Sequence, residues 1–185
     1  MLRYLCNKML LSMKKRYDYD VQYMQEILHE DFSAYSKFML FQAMASHQGS
    51  IPAEPLYAAR IRAIIWDDCG SCAQLVVNMA IEAGINPDII KAIINYDLSH
   101  LPTETALVIQ FTEKVLTHNL EADDIREQII ALWGKKGAIA IAYAISSSRV
   151  YPTLKYALGY GKTCSKLQVN NTTTVPKRTL TSLQE

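Results

Sequence analysis

The sequence predicts an all-α protein, a single domain of about seven to eight helices. Three observations lead there. Apolar residues recur at three- and four-residue spacing through most of the 185 positions, and strand-like alternation is hard to find. Helix start and stop residues such as Pro52, Gly84 and Asn86-Pro87 punctuate the pattern. A chain of this length sustains one well-buried core but not two large domains.

Taken in order, Val21, Met24, Ile27 and Leu28 form the first helical face after Asp20. Phe32, Tyr35, Phe38, Met39, Gln42 and Ala43 carry a second helix that ends near Gly49. Pro52 and Pro55 suit the first turn of a third, which continues through Leu56, Ala59, Ile61, Ile64 and Ile65. Leu75, Val76, Met79, Ala80 and Ala83 give the fourth its apolar face, and Gly84 stops it. Asn86-Pro87 caps and starts a short helix through Ile89, Ile90, Ile93 and Ile94. Thr103 to His118 and Ala122 to Trp133 follow, the latter with Asp123 and Asp124 at its positive end.

Ala138 to Ser148 is almost wholly apolar or small, which places it centrally in the core or at a subunit contact. Pro152 is expected to break or kink the path before Leu154 to Leu158. The chain then divides into an N-terminal segment 1–19, a helical domain 20–161 and a polar tail 162–185. That tail, with Asn170-Asn171-Thr172-Thr173-Thr174 and Lys177-Arg178, promises little core and reads as disordered or as an arm ordered by a neighbouring subunit.

Composition narrows the function. Half the residues are hydrophobic and a fifth charged, as in a soluble globular protein, and a net charge of +1 predicts no nucleic-acid or membrane partner. The N-terminus lacks a signal-peptide core, and no window approaches the ~20 apolar residues of a membrane span. A cytoplasmic location is the resulting expectation. Four cysteines, Cys6, Cys69, Cys72 and Cys164, do not form a secreted disulfide framework.

The chemistry concentrates in Cys69-Gly70-Ser71-Cys72, which follows Trp66-Asp67-Asp68 and opens a helix. Thiols three apart can close a disulfide within one turn, and a helix N-terminus eases formation of a thiolate. Asp67 and Asp68 oppose a second negative charge or accept the thiol proton. Zinc fits poorly, because CxxC supplies two ligands where a structural site needs four, and His47, His100 and Cys164 are scattered. The expectation is a redox couple with neither metal nor cofactor.

The run from Tyr57 to Gly84 resembles the carboxymuconolactone decarboxylase superfamily, in particular its alkylhydroperoxidase D-like branch. The pattern is a helix, a short acidic approach, CxxC, and a second helix ending in Ala-Gly. It covers about residues 50 to 120, extending to about 160. The resemblance implies an alkylhydroperoxidase D-like helical fold assembled as a homo-oligomer, a trimer or a hexamer (dimer of trimers). It also implies antioxidant reduction of a hydroperoxide, with a dithiol reductant as second partner, Cys72 as the attacking sulfur and Cys69 as the resolving one. The sulfenic acid formed at Cys72 would condense with Cys69, and thiol exchange would restore the pair.

Two positions depart from the family pattern, which has glutamate twelve residues before the first cysteine and histidine four after the second. Here they are Tyr57 and Val76. Valine carries no proton, and a phenol of pKa ~10 is a poor base at neutral pH. A rebuilt proton relay draws on Asp68, otherwise an N-cap; Glu54, otherwise a solvated first-turn acid; Tyr57, otherwise core; and Gln74, which orients but does not transfer protons. His47 and His100 would have to fold back over the pair. Arg60 and Arg62 are expected on a solvent face or subunit contact. Lactone decarboxylation, which needs basic groups rather than two thiols, and a non-enzymatic oligomeric redox sensor are the alternative functions.

Overall fold

The computed structural model describes residues 1–163 and 166–178. Cys164 and the last seven positions of the expected tail lie outside the described residues. The protein is all-α, with 73% of the described residues helical. Eight α-helices occur among the described residues: α1 (Leu2–Tyr17), α2 (Gln22–Glu30), α3 (Phe32–Ala45), α4 (Ala53–Trp66), α5 (Gly70–Glu82), α6 (Pro87–Asn95), α7 (Thr103–Leu116) and α8 (Ala122–Ala157). A 3₁₀ turn at Leu98–His100 and an antiparallel hairpin, β1 (Leu167–Val169) with β2 (Thr172–Thr174), complete the fold.

Local chemistry sets several boundaries. Asp31 accepts a hydrogen bond from Ala34 N to cap α3, and Asn86 accepts one from Asp88 N ahead of Pro87 to cap α6. Pro52 sits at the N-cap of α4, and Gly84 takes a left-handed φ of 82° just past α5.

α4 is the central element. Leu56, Ala58, Ala59, Ile61, Ala63, Ile64 and Ile65 are all buried, so this helix faces core on nearly every side. One apolar cluster joins it to α5 and α6 through Ile61, Ile65, Val77, Ile90 and Ile93. Another joins it to α7 and α8 through Ala59, Ala63, Val108, Ile141 and Ile145. A third cluster, Leu10, Tyr19, Val21, Tyr23, Met24, Leu28 and Tyr35, binds α1, α2 and α3 together, and Leu75 of α5 and Leu154 of α8 pack against it.

Several sequence expectations change here. The segment 1–19 is helical over α1, and its Tyr19 belongs to the same cluster as Tyr23, so packing is continuous across position 20. The helix does not break at Pro152; it breaks at Gly134, where φ is 69° and ψ 178°. Proline's fixed φ near −65° is compatible with a helix, whereas a positive φ is not. Ala138–Ser148 is only half in the core: Ala140, Ile141, Ala144 and Ile145 are buried while Ile139 and Tyr143 are exposed. By length and composition α8 is long and apolar enough to cross a membrane, contrary to the sequence expectation, yet its inward residues pack in the α4–α7–α8 cluster.

The described part of the tail is neither free nor extended away. Leu167 and Val169 are fully buried among α5 and α6, because alternation in β1 turns both to one face. Gln74 holds β1 like a strand partner, donating from Nε2 to Gln168 O at 2.9 Å and accepting from Gln168 N at 2.8 Å. Lys177 N donates to Ile94 O at 3.1 Å. Leu167→Ala should therefore lower the unfolding free energy by about 2–5 kcal/mol, read as a fall in urea midpoint at unchanged m-value. A loss below ~0.5 kcal/mol would show that the hairpin is not part of the core.

Candidate functional site

Cys69 is the N-cap residue of α5, with extended backbone (φ −102°, ψ 100°), and Cys72 lies in the first turn. Gly70 N donates to Lys162 O at 3.0 Å, which ties this helix start to the chain leaving α8. The two thiols are reduced and buried, with their sulfurs 2.9 Å apart. At this separation the two thiols titrate as a coupled pair, which holds one negative charge readily and a second only with difficulty. The hydrogen bond with Cys72 lowers the Cys69 thiol to about 6, against the opposing effect of burial, and the Cys72 backbone N–H, Ser71 and Lys155 add to that lowering. The same partner bond, burial and the charge on Cys69 push the Cys72 thiol above its ordinary range.

Access divides the pair differently. A cavity of about 300 Å³ is lined by Cys72, and Cys69 is not part of its wall. Leu75, Val76 and Met79 continue that wall along α5, while Tyr19, Tyr23 and Met24 close it from the N-terminal cluster. Tyr19 Oη lies 3.6 Å from Cys72 Sγ and 3.4 Å from Tyr23 Oη. Burial raises both phenols far above their usual range, so they serve as donors rather than bases. Burial likewise pushes Tyr151, another lining residue, up to about 12.

Behind the sulfurs stands a group that sequence reading missed. Lys155 is 1% exposed, and its Nζ donates to Ser71 Oγ at 2.8 Å. The ammonium lies 4.8 Å and 5.2 Å from the ring centres of Tyr19 and Tyr23. Among the described residues no carboxylate pairs with it, an uncommon condition for a buried charge. Its field favours the thiolate at both sulfurs. The only hint in the sequence was an isolated lysine in the otherwise apolar stretch Leu154 to Leu158.

The expected relay residues fare unequally. Tyr57 lines the cavity, with its ring 5.0 Å from the Arg60 guanidinium. Val76 is an apolar wall residue. Asp68 pairs with Arg178, and the N-cap position falls to Cys69 instead. Asp67 is held by Arg149 through contacts of 3.0–3.2 Å. Glu54 accepts a hydrogen bond from Thr105 at 2.6 Å and is not in the cavity wall. Gln74 is engaged with the hairpin, as described above. His47 packs on Tyr143, and His100 bonds Asp97 at the surface. Tertiary packing thus supplies tyrosines and a lysine where sequence spacing suggested acids.

Arg60 and Arg62 are also corrected. Arg60 lines the cavity, and Arg62 is buried against Glu113 at 2.6 Å. Arg62 therefore does not lie on a solvent face, and Arg60 is half-buried. Among the described residues no three His, Cys, Asp or Glu side chains converge as a metal site.

Comparison of the chain with protein-family models, curated proteins and solved structures finds no match.

Thiolate absorbance near the ultraviolet edge, followed in a Cys6→Ser, Cys164→Ser background, should titrate with a midpoint about 6. The depressed value means that the ionised form is lost as pH falls through that midpoint. Lys155→Met should move it upward, because the cation that favours the thiolate is gone. An unmoved midpoint would remove Lys155 from the site.

Proposed function

We propose that this protein is a thiol-dependent peroxidase, or disulfide reductase, of the alkylhydroperoxidase D-like branch of the carboxymuconolactone decarboxylase superfamily. The observation that carries the reading is one sulfur on a cavity wall, a second 2.9 Å behind it, and a buried ammonium without a carboxylate partner among the described residues. Such an arrangement supports a dithiol–disulfide cycle in which the protein's own pair moves the proton.

In the resting pair Cys69 holds the charge. As a hydroperoxide enters, the Cys69 thiolate takes the proton from the Cys72 thiol, an uphill transfer that Tyr19 and Lys155 ease by favouring the Cys72 thiolate. The Cys72 thiolate then attacks the terminal peroxide oxygen; an S–O bond forms and the O–O bond breaks. The leaving alkoxide takes the proton back from Cys69 and departs as the alcohol. Cys69 thiolate attacks the Cys72 sulfenic acid, the S–S bond forms, and hydroxide leaves. Peroxide oxygen is reduced and the two sulfurs are oxidised. A dithiol reductant then attacks the disulfide and leaves as its own disulfide, restoring both thiols. Cys69 in this reading is both base and resolving thiol, which accounts for a site without glutamate or histidine at positions 57 and 76.

Lysine is well suited to the supporting role. Its charge stabilises a thiolate, while Tyr19 presents a hydroxyl to Cys72. The geometry favours redox chemistry over lactone decarboxylation because a thiol, Cys72, and not basic groups alone, faces the cavity.

Hydrogen peroxide or an alkyl hydroperoxide should convert reduced protein to a Cys69–Cys72 disulfide that a dithiol reverses. Cys72→Ser should lower turnover by at least ~100-fold, and the wild-type kcat/KM should rise with pH through about 6. Undiminished peroxide consumption by Cys72→Ser defeats the proposal. Disulfide formation once, without repeated turnover, would point to a redox sensor.

A further inference from the structure

The cavity at Cys72 has a second chemically distinct feature. Arg60 is the one charged residue in its described lining, and no Asp or Glu lines it. One guanidinium nitrogen donates to Ala45 O at 3.0 Å, and the guanidinium carbon lies over the Tyr57 ring, 5.0 Å from its centre. Among the described residues Arg60 forms no salt bridge, although guanidinium carries five N–H donors. Burial lowers its proton affinity, so the cation is partly stripped of water without having gained an anion.

Tyr151 lines the same cavity as this cation and the Cys72 sulfur. Its hydroxyl is influenced electrostatically by both Arg60 and Cys72. It is also the one buried side-chain oxygen or nitrogen without a hydrogen-bond partner among the described residues. Phe38 and Phe41 hold the ring at centroid distances of 5.8 Å. A tyrosine with an unsatisfied hydroxyl and a guanidinium without an anion therefore line one space, whose wall is otherwise a mixture of apolar side chains such as Ile64, Leu75, Val76 and Met79 with uncharged polar ones such as Gln42 and Gln48. A buried donor left unbonded is costly, and an anionic ligand would satisfy both groups at once.

We propose that this cavity binds the carboxylate of a short-chain organic hydroperoxide through Arg60 and Tyr151, with the chain along the apolar wall and the peroxide at Cys72. The proposal rests on the peroxidase reading above and deepens it by naming the substrate class. At about 300 Å³ the space holds a ligand on the order of ten non-hydrogen atoms, since a water molecule takes up ~30 Å³. A hydroperoxy-alkanoate of that size has one anionic end for the guanidinium and one reactive end for the sulfur. An uncharged hydroperoxide can accept hydrogen bonds there but offers the guanidinium no anion.

The test compares ω-hydroperoxyhexanoate with its isosteric primary amide, and hexanoate with hexanamide as unreactive probes, on the reduced full chain. For the wild type, kcat/KM for the acid should exceed that for the amide by about tenfold or more, mainly through KM. Arg60→Gln should bring the two substrates to within about twofold, Arg60→Lys should retain part of the preference, and added salt should weaken it. Equal kcat/KM for acid and amide in the wild type overturns the proposal, as does a preference that survives Arg60→Gln. The wild-type ratio decides the matter even if a variant does not fold.

If neither hydroperoxide is consumed, the peroxidase reading fails, and calorimetry with the unreactive pair still judges the anion site. Hexanoate binding about tenfold tighter than hexanamide supports it. Equal or undetectable binding of both overturns it.

Discussion

The ion pair between Arg62 and Glu113 is the constraint around which the fold is organised. α4 is buried on nearly all sides, and one of its residues is an arginine. A charge so placed requires partners in every direction it points. Arg62 Nε meets Glu113 of α7 at 2.6 Å, and Nη1 donates to the carbonyls of Ile93, Ile94 and Lys177 at 3.4, 3.2 and 2.9 Å. Its guanidinium also lies 5.1 Å from the Tyr96 ring centre. One side chain thereby joins α4 to α7, to the C-terminal end of α6 and to the segment that follows the hairpin. Removing one partner of such a pair leaves an uncompensated buried charge, which costs ~3–5 kcal/mol.

With α4 pinned in this way, the rest of the site follows from helix periodicity. Arg62 points to Glu113, so Arg60, two residues earlier, projects elsewhere and meets the cavity. The end of α4 leads directly to Asp67 and the cysteine turn, and Asp67 is fastened by Arg149 of α8. The same part of α8 then brings Tyr151 to the cavity and Lys155 behind the thiols. Residues far apart in the chain therefore converge on one pair of sulfurs because α8 packs along α4 and carries positions 149–155 to the cysteine turn.

Acidic residues and lysine exchange the roles that spacing alone suggested. Asp67, Asp68 and Glu54 are each engaged by a partner elsewhere: Arg149, Arg178 and Thr105. Carboxylates held by cations contribute less negative potential at the thiols than free ones would. The cation Lys155 has no carboxylate partner among the described residues, and its field reaches the sulfurs unopposed by one. The balance of charge at Cys69 and Cys72 is thus set by pairing rather than by which residues are adjacent in sequence.

Helical periodicity, Asn86-Pro87 and the Pro52 start were legible because local backbone preferences dictate them, and they led to an all-α fold and most of its helices. The cysteine spacing at a helix start was legible for the same reason: residues three apart share one turn. The break at Gly134 rather than Pro152 was harder to read, since proline is sterically tolerated where its missing hydrogen bond can be absorbed. The buried hairpin was concealed by polar composition, because only Leu167 and Val169 needed to face inward. Tyr57 on the cavity wall was within reach of sequence reasoning, but Lys155, Tyr19, Tyr151 and Arg60 were not. By itself the sequence determined the helices and put two thiols on one turn. Tertiary structure decided which charges are paired, which sulfur meets the cavity and which side chains surround it, because burial and long-range electrostatics depend on contacts between residues tens of positions apart.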